Sequence, residues 1–132
     1  MSCEHMSLEE SFHNAFLYFM EALGVLSLEA TEQCEAMGNF NVAWELQHDV
    51  LDGGTALINW PVDYLSASEK DDIAQLLRPL SELPEAALRS ANQEAMSHTA
   101  WIGLRSGAVM LIEQLRDAAR RNREFFQTQK RT

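Results

Sequence analysis

Apolar residues along this chain recur every three or four positions, not every second one. Leu8, Phe12, Phe16, Phe19, Leu23, Leu26, Ala30, Cys34 and Met37 form one such stripe, the spacing that puts side chains on one face of an α-helix. Ser7-Leu8-Glu9-Glu10 precedes it as a capping box, with Ser7 as N-cap and Glu10 at the third helical position. The stripe ends at Gly38, a residue suited to the left-handed conformation that closes a helix. Gly24 and Ser27 are the points at which it would divide in two.

A second helix is expected through Phe40, Trp44, Gln47, Leu51, Gly54 and Ile58, capped by Asn39 or Asn41. Gly53-Gly54 either weakens it or lets a neighbouring helix approach closely. Trp60-Pro61 ends it, because the residue before proline is pushed toward extended geometry. Ser66 and Ser68 offer caps for a third helix, with Glu69, Asp71 and Asp72 near its positive end, and Arg78-Pro79 stops or kinks it. Pro84 fits the first turn of a last helical region reaching about Gln127, with Leu88, Ala91, Ala95, Ile102, Val109 and Ile112 as its inner face. Unbroken, that region would be ~60 Å long at ~1.5 Å per residue, so a break is expected between Ser97 and Gly107. No run of strand-like alternation competes with this pattern. The expected fold is all-α: an antiparallel helical bundle of four to six helices with a long C-terminal helical region. It forms a single domain over 1–132, with 1–7 and 128–132 expected to be disordered.

Length and composition fit that picture. A chain of 132 residues with 46% hydrophobic content can bury a core without disulfides or metals. Cys3 and Cys34 make no disulfide framework. The amino terminus has neither the basic nor the apolar region of a signal peptide, and no apolar run approaches the ~20 residues that span a bilayer. A cytoplasmic protein without membrane contact is expected.

Charge changes the picture most. The chain carries 20 acidic and 10 basic residues, a formal net of −10. Residues 1–69 hold twelve of the acids and no Lys or Arg. Six of the ten bases crowd into the last seventeen residues: Arg116, Arg120, Arg121, Arg123, Lys130 and Arg131. Such a field repels nucleic acid and anionic membrane over most of the surface. The basic tail, interleaved with Asp117 and Glu124, reads as a helix end complementing its own dipole. It could equally pair with the acidic half, within the chain or across a dimer.

Catalytic and metal motifs fail on geometry. Two Glu-x-x-His pairs, Glu10/His13 and Glu45/His48, resemble half of a di-metal carboxylate site. At ~100° per residue, however, each glutamate falls about 160° from its helix's apolar stripe, and each histidine about 100°. His98 projects with the apolar face of the last region, where a lone histidine is usually a hydrogen-bonded boundary residue. A site built from His13, His48 and His98 is the alternative function, because three ligands with an open position suit catalytic zinc. Cys34 lies between Glu32 and Glu35, which oppose a thiolate. Gly53-Gly54-Thr55 has neither the strand nor the lysine of a phosphate loop. Neither catalytic residue, metal nor cofactor is expected.

The leading expectation is a non-enzymatic module that binds a basic protein. An immunity or antitoxin-type inhibitor, whose carboxylates mimic the phosphates a toxin binds, is its sharpest form. The expected partner-binding residues are Glu29, Glu32, Glu35, Glu45, Asp49 and Asp52 around Gly38, with Trp60, Asp63 and Tyr64 as an aromatic-carboxylate cluster. Those two aromatics could instead plug the end of the bundle. A monomer or a homodimer fits, and a homodimeric helical scaffold is the third possibility.

Overall fold

The computed structural model describes residues 7–38, 41–89 and 91–131. The expected cap Asn39 and core residue Phe40 lie outside these residues, as do Cys3, residues 1–6 and Thr132. Among the described residues there are seven α-helices: α1 (Leu8–Leu26), α2 (Ala30–Met37), α3 (Val42–Ile58), α4 (Ala67–Ser81), α5 (Asn92–Met96), α6 (Ala100–Gln114) and α7 (Arg116–Arg131). A 3-10 turn, Glu85–Leu88, precedes α5. Each of α1, α3, α4 and α6 packs on two of the others, in the closed order α1–α3–α4–α6. The α2 and α5 helices pack chiefly on one another, and α7 folds back onto α1. The molecule is the all-α bundle that the periodicity predicts, with finer segmentation.

Local chemistry explains where the segments begin. The Ser7 hydroxyl accepts from the Glu10 N–H at 3.0 Å, and Asn41 Oδ1 accepts from Trp44 N–H at 3.2 Å. At α4, Ser66 and Glu69 form a full capping box, with 3.0 and 2.9 Å bonds in the two directions. The first stripe divides at Ser27, whose hydroxyl donates back to the Gly24 carbonyl at 2.7 Å. The break leaves the last carbonyls of α1 without helical donors. Gln33, fully buried on α2, supplies them: its amide donates to Leu26 O at 3.0 Å and Val25 O at 3.2 Å. Its carbonyl accepts from Arg105 Nη2 at 2.9 Å, and Arg105 also donates to Met96 O. One glutamine thus ties together α1, α2, α5 and α6.

Pro79 does not end its helix. It sits inside α4, which continues to Ser81 because Leu80 is fully buried and its carbonyl accepts from Gln47 Nε2 of α3 at 2.9 Å. The long C-terminal region opens as a 3-10 turn that stops at Leu88, resumes as α5 at Asn92, breaks between Met96 and Ala100, within the expected window, and breaks again at Leu115. It runs to Arg131, so 128–131 is helical instead of disordered. Close approach accounts for the paired glycines: a Cβ on Gly54 would lie 2.9 Å from Leu77 Cδ2 of α4, and one on Gly53 3.3 Å from Phe19 of α1.

Two core faces differ from the expected ones. On α3 the buried residues are Val42, Ala43, Leu46, Val50 and Leu57, whereas Trp44 is 50% exposed. On α6 the core face is Trp101, Leu104, Ala108 and Leu111, while Ile102 and Val109 stand 58% exposed. The break at residues 97–99 resets the helical phase, so a stripe extrapolated from Leu88 points the wrong way beyond it. Both helices are apolar on more than one side, so periodicity alone does not choose the face. Trp101 fixes the choice on α6, its indole donating to Ala87 O of the 3-10 turn at 3.0 Å.

Candidate functional site

The rotation of α3 sets its outward face. Glu45, Asp49 and Asp52 follow one another at spacings of four and three, a single stripe off the core face. Across from them α1 presents Tyr18, 70% exposed, and Glu21, both off its Phe-rich core stripe. Between the two helices runs a groove of about 580 Å³, lined by Tyr18, Glu21, Ala22 and Val25 from α1 and by His48, Asp49, Asp52 and Ala56 from α3. Met37, the last residue of α2, closes one part of it. Trp44, misplaced into the core by periodicity, stacks at a tilt on His48 with ring centroids 4.1 Å apart. The groove therefore combines an apolar floor, the exposed Tyr18 and carboxylates from two helices, with Trp44 beside it on His48.

These carboxylates are unneutralised. Among the described residues, ion pairs join Asp63, Glu69, Glu113, Asp117 and Glu124 to Lys70, Arg116, Arg120 and Arg121. None involves a carboxylate of α1, α2 or α3. Glu45 and Asp49 stand at i, i+4, where like charges cost a few tenths of a kcal/mol. Glu45 has a partial structural reason, since it lies in the positive first turn of α3. Asp49 and Asp52, further along, have none.

The expected acidic site is divided by the fold. Asp49 and Asp52 line the groove, and Glu45 stands one turn before them. Glu29, Glu32 and Glu35 do not line it. Glu32 caps its own helix, accepting from the Glu29 N–H at 3.3 Å, Glu29 lies in the field of Arg105, and Glu35 is exposed on α2. Trp60, Asp63 and Tyr64 lie elsewhere. Both aromatics pack on Phe12, with centroids 5.7 and 5.0 Å away, and are half-buried. Asp63 pairs with Lys70 at 2.5 Å. Of the two readings of this cluster, the plug is the one the packing matches. Sequence reasoning missed Tyr18, Glu21 and Trp44. Tyr18 and Glu21 were legible as residues off the α1 stripe.

The histidines do not converge. His13, expected on a flank, is 7% exposed because α7 covers that flank. Its ring stacks on Phe125 with centroids 4.2 Å apart, and Asn122 Nδ2 lies 3.1 Å from its Nδ1. His48 stacks on Trp44. His98 lies in the connection before α6, off any helix face, and its Nδ1 accepts from Ala100 N–H at 3.0 Å. Among the described residues no three His, Cys, Asp or Glu side chains are arranged to hold a metal, so the three-histidine site is not formed. Burial pushes the Cys34 thiol above its ordinary range despite the field of Arg105, which disfavours a thiolate nucleophile.

Three bases of the tail, Arg116, Arg120 and Arg121, are held in ion pairs. Arg120 reaches Asp117 at 2.6 Å and Glu124 at 3.0 Å, holding the Asp117 carboxyl below its usual range. Arg121 pairs with Asp117, and with Glu69 of the acidic half at 2.8 Å. No described helix is long and apolar enough to cross a membrane. No family model matches the chain, and no similar curated protein or solved structure was found.

Proposed function

We propose that this protein is a non-enzymatic acidic module that binds a basic protein through the α1–α3 groove. An inhibitor of the immunity or antitoxin kind is the form this chemistry fits best. The observation that supports the reading is a contrast. Glu21, Glu45, Asp49 and Asp52 stand without a cation beside exposed Tyr18 and Trp44, while every ion pair among the described residues lies outside α1–α3. Tyr and Trp are the residues that carry binding energy at interfaces, and a one-signed patch accelerates encounter with a cationic partner. A Lys- or Arg-bearing loop of the partner would place its cations on Glu21, Asp49 and Asp52 and its aliphatic stems on the apolar floor.

The test is a comparative capture from source-cell lysate. The bait is either the wild-type protein or the triple variant Glu45→Lys, Asp49→Lys, Asp52→Lys, washed at low and then high salt. The three side chains are unpaired, Asp49 and Asp52 exposed and Glu45 half-buried in the first turn of α3, and circular dichroism checks that the variant keeps its fold. The expected result is one basic protein held stoichiometrically by the wild type, released by salt and absent from the variant. Equal capture by both baits refutes the assignment of the groove.

A further inference from the structure

A second groove lies between α4 and α6. In the closed order α1–α3–α4–α6, the α4–α6 seam is opposite the α1–α3 seam. This groove has a volume of about 410 Å³. Its floor is apolar, with Leu76 and Pro79 from α4 and Leu104 and Leu111 from α6. Met110, 63% exposed, forms a lip.

Two glycines of α6 create the trench. A Cβ on Gly107 would approach Leu76 Cδ1 to 3.0 Å, so the missing side chain there lets α4 come close. A Cβ on Gly103 would meet nothing within 4 Å. Gly103 is therefore not required by packing inside this chain, and it leaves open the space that an incoming side chain would fill. The charges at the rim have one sign. Asp72, in the second turn of α4, and Glu82, its C-cap, border the groove ten residues or ~15 Å apart, and no Lys or Arg lines it.

We infer that this seam is a docking groove for a basic amphipathic helix of another protein, separate from the acidic α1–α3 face. Such a helix lays apolar side chains spaced i, i+3/i+4, i+7 into the trench and brings Lys or Arg to Asp72 and Glu82. Charge complementarity selects this occupant. An acidic helix meets two like charges. A second copy of this chain, docked by a two-fold axis on the same seam, sets those carboxylates and a net charge of −10 against their own images.

The test uses the full chain and a labelled peptide of about 14 residues, built of Leu and Lys to be amphipathic as a helix. Its controls carry Glu in place of Lys, or Ser in place of Leu. Fluorescence polarisation is expected to show binding of the Leu/Lys peptide and of neither control. Gly103→Trp fills the trench, and Met110→Arg adds a cation at its exposed lip. Each is expected to weaken binding by about tenfold or more, as is the pair Asp72→Lys, Glu82→Lys. The α1–α3 triple reversal is expected to leave the affinity within about twofold, which separates failure of this inference from failure of the proposed function. Met110→Arg changes a solvent-facing side chain, so it reports on the groove even if Gly103→Trp proves unstable. Undiminished binding to both variants overturns the inference, and so does equal binding of the Glu or Ser peptide. A dimer of the unliganded protein that Gly103→Trp dissociates overturns it in favour of self-association.

Discussion

Asn122→Ala tests how α7 is held to the bundle. Asn122 is 4% exposed, and its amide nitrogen donates to the His13 carbonyl of α1 at 2.8 Å. A carbonyl oxygen only accepts, so the amide nitrogen must face it. The second N–H then points to His13 Nδ1, 3.1 Å away, which makes the histidine the neutral tautomer with its proton on Nε2. Alanine removes both bonds, each worth about 1 kcal/mol net. The His13 carbonyl keeps its place in the hydrogen-bond ladder of α1, but Nδ1 is left buried and unsatisfied, so the total loss is about 2–3 kcal/mol. For a domain of 132 residues, each kcal/mol shifts Tm by about 3–5 °C. The expected drop is therefore roughly 6–15 °C in thermal melts followed by circular dichroism. Amide exchange should quicken most in α7. A Tm within about 2 °C of wild type would show that the two Asn122 bonds do not hold α7 to the bundle.

Two further outcomes follow from the same packing. Burial lowers the His13 pKa, with Glu9 opposing the shift and Arg121 reinforcing it. The folded state thus binds fewer protons than the unfolded chain: its contribution is complete above about pH 6.5 and is lost as pH falls toward the lower folded pKa. His13→Phe, which keeps an aromatic ring against Phe125, is expected to flatten stability against pH between about 5 and 7 in urea titrations; an unchanged slope contradicts the assignment. Gly24→Ala, where a Cβ meets nothing within 4 Å, is expected to stabilise α1 by about 0.5–1 kcal/mol. Gly54→Ala gains the same propensity but drives a Cβ to 2.9 Å from Leu77, an overpacking cost of about 1–3 kcal/mol. Urea midpoints should therefore move in opposite directions, and a gain at Gly54 would show that the seam yields.

The helices α1, α3 and α4 and their N-caps were legible because each cap rests on contacts within four residues. Ser7, Asn41 and Ser66 cap from within their own segments, and Gly38 closes α2 at φ 74°. Choices made by distant partners were not legible. Trp44 and Leu46 compete for the same core, and only the approach of α1 and α4 decides between them. Pro79 stays inside a helix because Gln47, 32 residues earlier, caps the carbonyl after it. His13 is buried by Phe125 and Asn122 from the far end of the chain. The acidic site follows the same rule. Its composition was plain, but Glu29, Glu32 and Glu35 separate from Asp49 and Asp52 because Gln33 and Arg105 tie α2 toward α5 and α6.

The distribution of ion pairs carries the functional argument further than net charge does. On α7 this chain sets an arginine between two carboxylates, Asp117–Arg120–Glu124, at spacings that stabilise a lone helix. The same arrangement on α3 would need only a Lys at the exposed position 49, four residues after Glu45 and three before Asp52. Instead the repulsion at Glu45 and Asp49 is left standing, with Glu21 added from across the groove. Solubility alone does not require this, because unpaired acids anywhere on the surface would serve equally well. Their concentration beside Tyr18 and Trp44, the most exposed aromatic side chains among the described residues, does have a use. A cationic partner that docks there relieves the repulsion and buries the rings in a single step.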